Sequence, residues 1–142
     1  MPRKKKQKTV GALKNDAAKL LQRLRRLEEA DEQGYCKCCT CDKIAHYKEM
    51  QGGHFIERGR SKTVLDERNI NPQCPGCNCW AMKTATGVLR YRKFMVEKYG
   101  EETVDELESE AYVVNKWNRI ELEDLIAEYK ERIKEQEERL GD

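Results

Sequence analysis

The sequence has no long apolar run. No stretch of its 142 residues approaches the ~18 consecutive apolar residues that a membrane-spanning helix requires, and no secretory apolar segment is apparent. We therefore expect a soluble, cytoplasmic protein with no membrane partner. In a reducing compartment, paired cysteines bind metal rather than forming disulfides, so the seven cysteines are candidate metal ligands.

The sequence also has little apolar material relative to its charge. Apolar and charged residues each make up 38% of the chain, which predicts one domain without a deep core. A structural metal would supply stability that burial cannot. The charge is unevenly distributed: residues 1–26 hold ten Lys or Arg and one acid, whereas residues 97–142 hold sixteen acids and seven Lys or Arg.

Periodicity and chain breakers divide the chain into four segments. These are a basic, flexible arm over 1–12, an N-terminal helical segment over 13–34 with its helix at about 13–30, a core over 35–100, and a C-terminal helical segment over 101–142 with helices at about 103–111 and 121–140. Inside the core, Thr86-Gly87 is predicted to separate a short helix near Cys77 from a helix over 88–99. The apolar side of the last helix indicates packing or dimerisation.

A structural zinc site is predicted by two Cys-x-x-Cys pairs with 32 residues between them. Four thiolates in two paired turns satisfy tetrahedral Zn²⁺ completely, so the metal folds a small unit without taking part in chemistry. The predicted ligands are Cys38, Cys41, Cys74 and Cys77.

A second pair with the same spacing, Cys36 and Cys39, competes with Cys38 and Cys41 for this site. We prefer Cys38 and Cys41, because Thr40 and Asp42 suit a tight turn and because this pair shortens the loop to His54. The spare thiols or small packing residues are then Cys36, Cys39 and Cys79.

Three further residues between and beside the cysteine pairs have chemical potential. His54 follows glycines that would let a phosphate approach the backbone, and a neutral imidazole can accept a proton from water if its other ring nitrogen is held. Asn69 is a candidate for fixing the loop. Asn78 follows the last paired cysteine at the start of a helix and could offer its amide oxygen to a hard cation such as Mg²⁺.

These motifs resemble those of the NinG (Rap) recombination proteins of lambdoid and related phages. The resemblance covers about residues 20–135 and is carried by Cys38-x-x-Cys41, Gly53-His54-Phe55, the run from Asn69 to Asn78, Tyr91-Arg92, Tyr99-Gly100 and the run from Val104 to Leu107. It implies an α+β fold, mostly helical, in which N- and C-terminal α-helices flank a small zinc-bound treble-clef core of the ββα-metal, HNH-like (His-Me finger) type. His54 would take the general-base place, Asn69 the middle-asparagine place and Asn78 the metal-ligand place.

The resemblance further implies a phage-encoded endonuclease in the bacterial host cytoplasm that cleaves branched DNA such as Holliday junctions and D-loops. Mg²⁺ or Mn²⁺ on Asn78 would assist the hydrolysis. Candidate phosphate contacts, for which ordinary surface charge is the alternative, are Arg58, Arg60, Lys62 and Arg92 together with Arg3, Lys4, Lys5 and Lys6 of the arm.

One position departs from the pattern of many HNH enzymes, which have Asp or His immediately before the catalytic histidine. Here that position is Gly53, so the second protein ligand of the cation is unassigned. Two other functions remain open: a non-catalytic zinc module that binds DNA or protein, and an HNH nuclease without junction preference. Because resolving a four-way junction takes two symmetric incisions, we also expect a homodimer, formed through either terminal helix.

Overall fold

The computed structural model describes residues 6–142, which form five α-helices and four short strands. The helices are α1 (Val10–Glu28), α2 (Pro75–Cys79), α3 (Ala85–Tyr99), α4 (Glu101–Glu110) and α5 (Arg119–Leu140). The strands are β1 (Tyr35–Lys37), β2 (Ile44–His46), β3 (Gln51–His54) and β4 (Ile70–Gln73). Over this part of the chain, no helix combines the length and apolar character needed to cross a bilayer.

The strands form two separate antiparallel pairs. β1 pairs with β2 across a short connection, and β3 pairs with β4 so that Gly53 lies opposite Asn71. α2 begins one residue after Cys74, which itself follows β4, so β3, β4 and α2 make a consecutive strand–strand–helix unit. The prediction of a mostly helical fold with small sheets is confirmed.

α1 and α5 bury their apolar sides against each other and against the sheets. The α1 stripe includes Leu21, Leu24 and Leu27, which are fully buried, and α5 contributes Leu122 and Tyr129 to the same core. α1 begins at Val10, earlier than predicted, because the Thr9 side chain caps it by accepting a hydrogen bond from the backbone N–H of Ala12. The apolar stripes of the two terminal helices therefore cover each other within the chain.

A second, smaller core joins α3 and α4 to the loop after β3. Tyr91 and Met95 of α3 and Val104 and Leu107 of α4 are fully buried there, and Phe55 is nearly so. The hydroxyl of Tyr91 donates to the carbonyl oxygen of Gly53 at 2.7 Å. This small core therefore holds the backbone on both sides of His54.

The predicted break at Thr86-Gly87 is wrong. α3 already begins at Ala85, where the Thr84 side chain accepts a hydrogen bond from the backbone N–H of Gly87. Gly87 serves close packing instead, because a Cβ atom on it would lie 1.9 Å from the carbonyl oxygen of Ala81. The separation from α2 is made by the short 3-10 turn Ala81–Lys83.

Candidate functional site

Four cysteine side chains from two distant parts of the chain converge. Cys38 and Cys41 come from the connection between β1 and β2, and Cys74 and Cys77 come from the end of β4 and from α2; their sulfur atoms all lie within 4.8 Å of one another. Four sulfurs bound to a tetrahedral zinc at ~2.3 Å would be ~3.8 Å apart, and the Cys41 and Cys74 sulfurs are 3.7 Å apart. The residues present thus fit a metal ion such as zinc.

The turn that carries Cys38 is shaped for a thiolate. The backbone N–H groups of Thr40 and Cys74 point at the Cys38 sulfur at 3.4 and 3.3 Å. Hydrogen bonds from the Cys39 thiol and from backbone amides lower the pKa of Cys38 to about 4. Asp42 takes a positive φ of 65°, which lets the chain turn back into β2. A thiolate at Cys38 is the form that a metal binds.

The remaining cysteines lie outside this group, as the preferred pairing predicted. Cys36 is buried in the main core, where burial raises its pKa to about 11. Cys39 is buried in the smaller core, and burial raises its pKa strongly. Cys79 is exposed on α2. The competing pair of Cys36 and Cys39 is therefore not part of the four-sulfur cluster.

His54 is the last residue of β3 and lines a cleft of about 690 Å³. Its Nε2 atom lies 3.3 Å from the carbonyl oxygen of Val64. Because a carbonyl oxygen only accepts hydrogen bonds, Nε2 carries the proton and Nδ1 is left as the basic nitrogen. Burial, together with the nearby positive charge of Arg58, lowers the pKa of His54 to about 4, so the ring is neutral at pH 7.

Asn78 lines the same cleft from α2. Its Nδ2 donates to the Oε1 atom of Gln51 at 2.7 Å. Gln51 begins β3, so the strand that carries His54 also orients the Asn78 amide. With the amide in this orientation, its Oδ1 oxygen is the group available to a cation.

Asn69 is fully buried and does not reach the cleft surface. Its Oδ1 accepts from the backbone N–H of Ile56 at 2.7 Å, and its Nδ2 donates to the carbonyls of Ile56 and Thr63. These bonds tie together both sides of the loop between β3 and β4. Asn69 therefore positions the segment that contains Val64, the hydrogen-bond partner of His54.

The candidate DNA contacts are scattered. Arg58 lines the cleft beside His54, and Lys62 is exposed in the same loop. Arg60 is held by Glu57 at 3.1 Å. Arg92 lies on α3 and is neutralised by three carboxylates, those of Glu101, Asp105 and Glu108 on α4. Lys6 is exposed, whereas Arg3, Lys4 and Lys5 fall outside the described residues.

Gly53 directly precedes His54, and no larger side chain fits at this position. A Cβ atom on it would lie 1.9 Å from Oε1 of Gln73, a buried side chain whose Nε2 donates to Thr40. Glu57 lines the cleft and carries a carboxylate, but it is paired with Arg60. Any acidic ligand at this site must therefore come from a position other than 53.

Sequence reasoning missed the wall that α1 contributes to the cleft. Gln22 and Arg26 of α1 line it opposite the loop after β3. Nη1 of Arg26 donates to the carbonyl oxygen of Met50, at 2.9 Å, and to that of Tyr47. The available signal was the helical spacing of polar residues on α1, since these two residues are four apart.

The fold and the site define a small, helix-rich protein in which a four-cysteine group that could hold zinc lies next to a cleft lined by a histidine and an asparagine. The chain belongs to the phage NinG family, because the family model "Bacteriophage Lambda NinG protein" matches residues 1–139. The predicted resemblance is thus confirmed at the level of the family.

Sequence identity to individual relatives is 27–28%. The chain is 28% identical over 99 residues to "Protein ninG" of Salmonella phage P22, a match that covers 69% of this chain and 46% of that protein. It is 27% identical over 99 residues to "Protein ninG" of Escherichia phage lambda, with the same shares. The chain thus spans about half the length of the curated relatives it matches. No solved structure matches it.

Proposed function

We propose that this protein is a metal-dependent endonuclease that hydrolyses phosphodiester bonds in branched DNA, with His54 as general base and Mg²⁺ or Mn²⁺ on Asn78. The observation that carries the proposal is the placement of His54 and Asn78 in one cleft, with Nε2 of His54 engaged by the carbonyl of Val64. An oriented ring with a basic nitrogen, in the same cleft as an amide oxygen, suits a water nucleophile and a cation.

In the proposed reaction, Nδ1 of His54 takes a proton from a water molecule that attacks the phosphorus in line. The P–O bond to the 3′-oxygen breaks, and that oxygen takes a proton from solvent. A divalent cation held by Oδ1 of Asn78 would supply positive charge near the leaving oxygen. The products carry 5′-phosphate and 3′-hydroxyl ends. Arg58, which lines the same cleft, is suited to hold the substrate phosphate.

The low pKa of His54 suits a site that fills with negative charge. Burial keeps the free imidazole neutral and lowers its pKa to about 4, below the range near neutrality in which a general base works best. A bound phosphodiester brings a negative charge beside the ring, which favours the imidazolium and raises the pKa. The base would thus become stronger when the substrate is present.

The test compares the two histidines of the chain. His54→Gln should lower the rate of cutting ~10²- to 10⁴-fold, the usual contribution of a positioned base, without changing DNA affinity. His46→Gln is the matched control, because His46 lies on β2 and does not line the cleft. Equal rates for His54→Gln and wild type would remove His54 from the mechanism.

The substrate class is tested with labelled four-way junction, D-loop, linear duplex and single strand, each with Mg²⁺, Mn²⁺ or no added divalent cation. Selective cutting of the branched forms is expected. Equal cutting of all duplexes would favour a nuclease without junction preference. Binding without cutting under every condition would favour a non-catalytic zinc module, which the lack of space for an acidic side chain at Gly53 also supports.

We further propose that the active form is a homodimer acting in the bacterial host cytoplasm, because paired incisions need two sites related by a two-fold axis. The buried stripes of α1 and α5 pack within one chain, so the dimer would use another surface. Light scattering of the junction complex tests this, and a single chain bound per junction would count against it.

A further inference from the structure

A polar stripe runs along one side of α1 toward the cleft. Asn15, Lys19, Gln22 and Arg26 are spaced four, three and four residues apart, which places them on one helix face. Gln22 and Arg26 line the His54 cleft. Asn15 and Lys19 line an adjoining depression of about 310 Å³. The stripe therefore extends well beyond the cleft itself.

Arg58 joins the two hollows. It lines the His54 cleft and the depression on α1, where it stands with Lys14 and Lys19. Val64, whose carbonyl holds His54, also lines this depression. The two hollows thus share a wall, and a chain leaving the cleft past Arg58 would run along α1.

Three cationic side chains face the depression, those of Lys14, Lys19 and Arg58. Within the described residues, no carboxylate lies within ion-pair distance of Lys14, Lys19 or Arg58. The nearest acid on the same helix, Asp16, is engaged by Lys8 at 2.7 Å. Arg92, by contrast, is surrounded by three acids. Free cations facing one hollow are what a polyanion requires.

α1 packs closely against the strand that carries His54. Gly52 of β3 packs so closely on the helix that a Cβ atom there would lie 2.8 Å from Cα of Gln22. Close backbone contact of this kind sets the position of the helix relative to the strand that carries His54. The α1 stripe and His54 therefore belong to one packed unit.

We infer that the α1 stripe with Arg58 is a track for the DNA strand that flanks the cleavage point, an inference that rests on the proposed function. The twelve α-helical residues from Asn15 to Arg26 make eleven steps of ~1.5 Å and so span ~16 Å. One strand of B-form DNA rises 3.4 Å per nucleotide, so this length matches about five nucleotides. Lys14 and Lys19, at the far end, contact the phosphates most distant from His54.

The experiment measures DNA binding without added divalent cation, so that cutting does not contribute. Affinity for a labelled four-way junction is measured against salt concentration for wild type, Lys19→Gln and Lys14→Gln/Lys19→Gln. Losing one phosphate contact should reduce the slope of log K against log salt by about one, and losing both by about two. Lys134→Gln is the matched control, since Lys134 is also an exposed helical lysine but lies on α5 away from both hollows.

Position along the strand is tested with junction arms shortened stepwise from the cleavage point. The effect of Lys19→Gln should disappear on one side only, once fewer than about five nucleotides remain there. The inference is overturned if Lys19→Gln keeps the wild-type slope, if Lys134→Gln lowers it equally, or if shortening either side has the same effect. If the salt slopes change as expected but the protein never cuts DNA, the α1 track is supported and the proposed nuclease activity is refuted.

Discussion

Replacing Cys77 by serine tests whether the four-cysteine group binds the metal that stabilises the candidate site. Cys77 is buried on α2, its sulfur belongs to the four-cysteine cluster, and the next residue is Asn78. Serine oxygen is a poor zinc ligand compared with thiolate, so the variant should leave the metal with three good ligands. We expect zinc to be lost and the fold to be destabilised.

The size of the effect follows from the length of chain that the metal closes. A cross-link around the 32 residues between Cys41 and Cys74 is worth about 4 kcal/mol in chain entropy alone. For a chain of this size, each kcal/mol shifts the melting temperature by about 3 °C. Cys77→Ser should therefore melt at least ~12 °C below wild type. The underlying loss of about 4 kcal/mol is a large part of the ~5–15 kcal/mol that stabilises a typical domain.

Cys79→Ser is the control, because Cys79 lies two residues further along α2 but is exposed and outside the cluster. It should keep one zinc per chain by elemental analysis and change stability by less than ~0.5 kcal/mol. The reasoning fails if wild type purifies without zinc, or if Cys77→Ser retains both its zinc and its melting temperature.

Three further predictions concern residues near the cleft and on α3. The pKa of His54 is lowered from 6.5 to about 4 in the folded protein, so between these pH values only the unfolded state binds the proton, and about 3 kcal/mol of folding stability should be lost as pH falls from 6.5 to 4. Denaturant titrations at several pH values should show a smaller loss of stability for His54→Gln. Equal pH dependence of stability in wild type and His54→Gln would contradict this. Gly53→Ala should cost ~1–3 kcal/mol by collision with Gln73, measured by urea unfolding and partly recovered by adding Gln73→Ala. Gly87→Ala should lower the melting temperature although alanine favours helices, because its Cβ meets the Ala81 carbonyl; a higher melting temperature would refute the close contact.

The features predicted well from the sequence depend on spacing along the chain. The choice of Cys38 and Cys41 as a pair is confirmed by the four-sulfur cluster, since turn chemistry is local. The long helices are also present near their predicted positions, because a stripe at three- and four-residue steps is local information. Their ends were less accurate, as with α1, whose first turn is added by the Thr9 cap.

The features that were missed depend on contacts between distant segments. Gln51 and Asn78 are 27 residues apart, and nothing in their local sequence reports that their amides meet. The acids that surround Arg92 come from α4, so its neutralisation follows from the packing of α3 on α4. Gly87 is a residue type typical of helix breaks, but here it lies inside α3 and allows close contact with the backbone of Ala81. Local propensity gives no information on which of these uses applies.

The four-cysteine group and the cleft share one short helix, which changes how metal-removal experiments must be interpreted. Cys77 and Asn78 are consecutive on α2 and point about 100° apart around the helix axis, so one reaches the sulfur cluster and the other the cleft. Removing zinc should therefore displace Asn78 as well. A chelator that stops cutting would not by itself reveal a catalytic cation, because it removes the structural metal too. Restoring activity separates the two: Mg²⁺ added to protein that still holds zinc should suffice, whereas Mg²⁺ added to zinc-free protein should not.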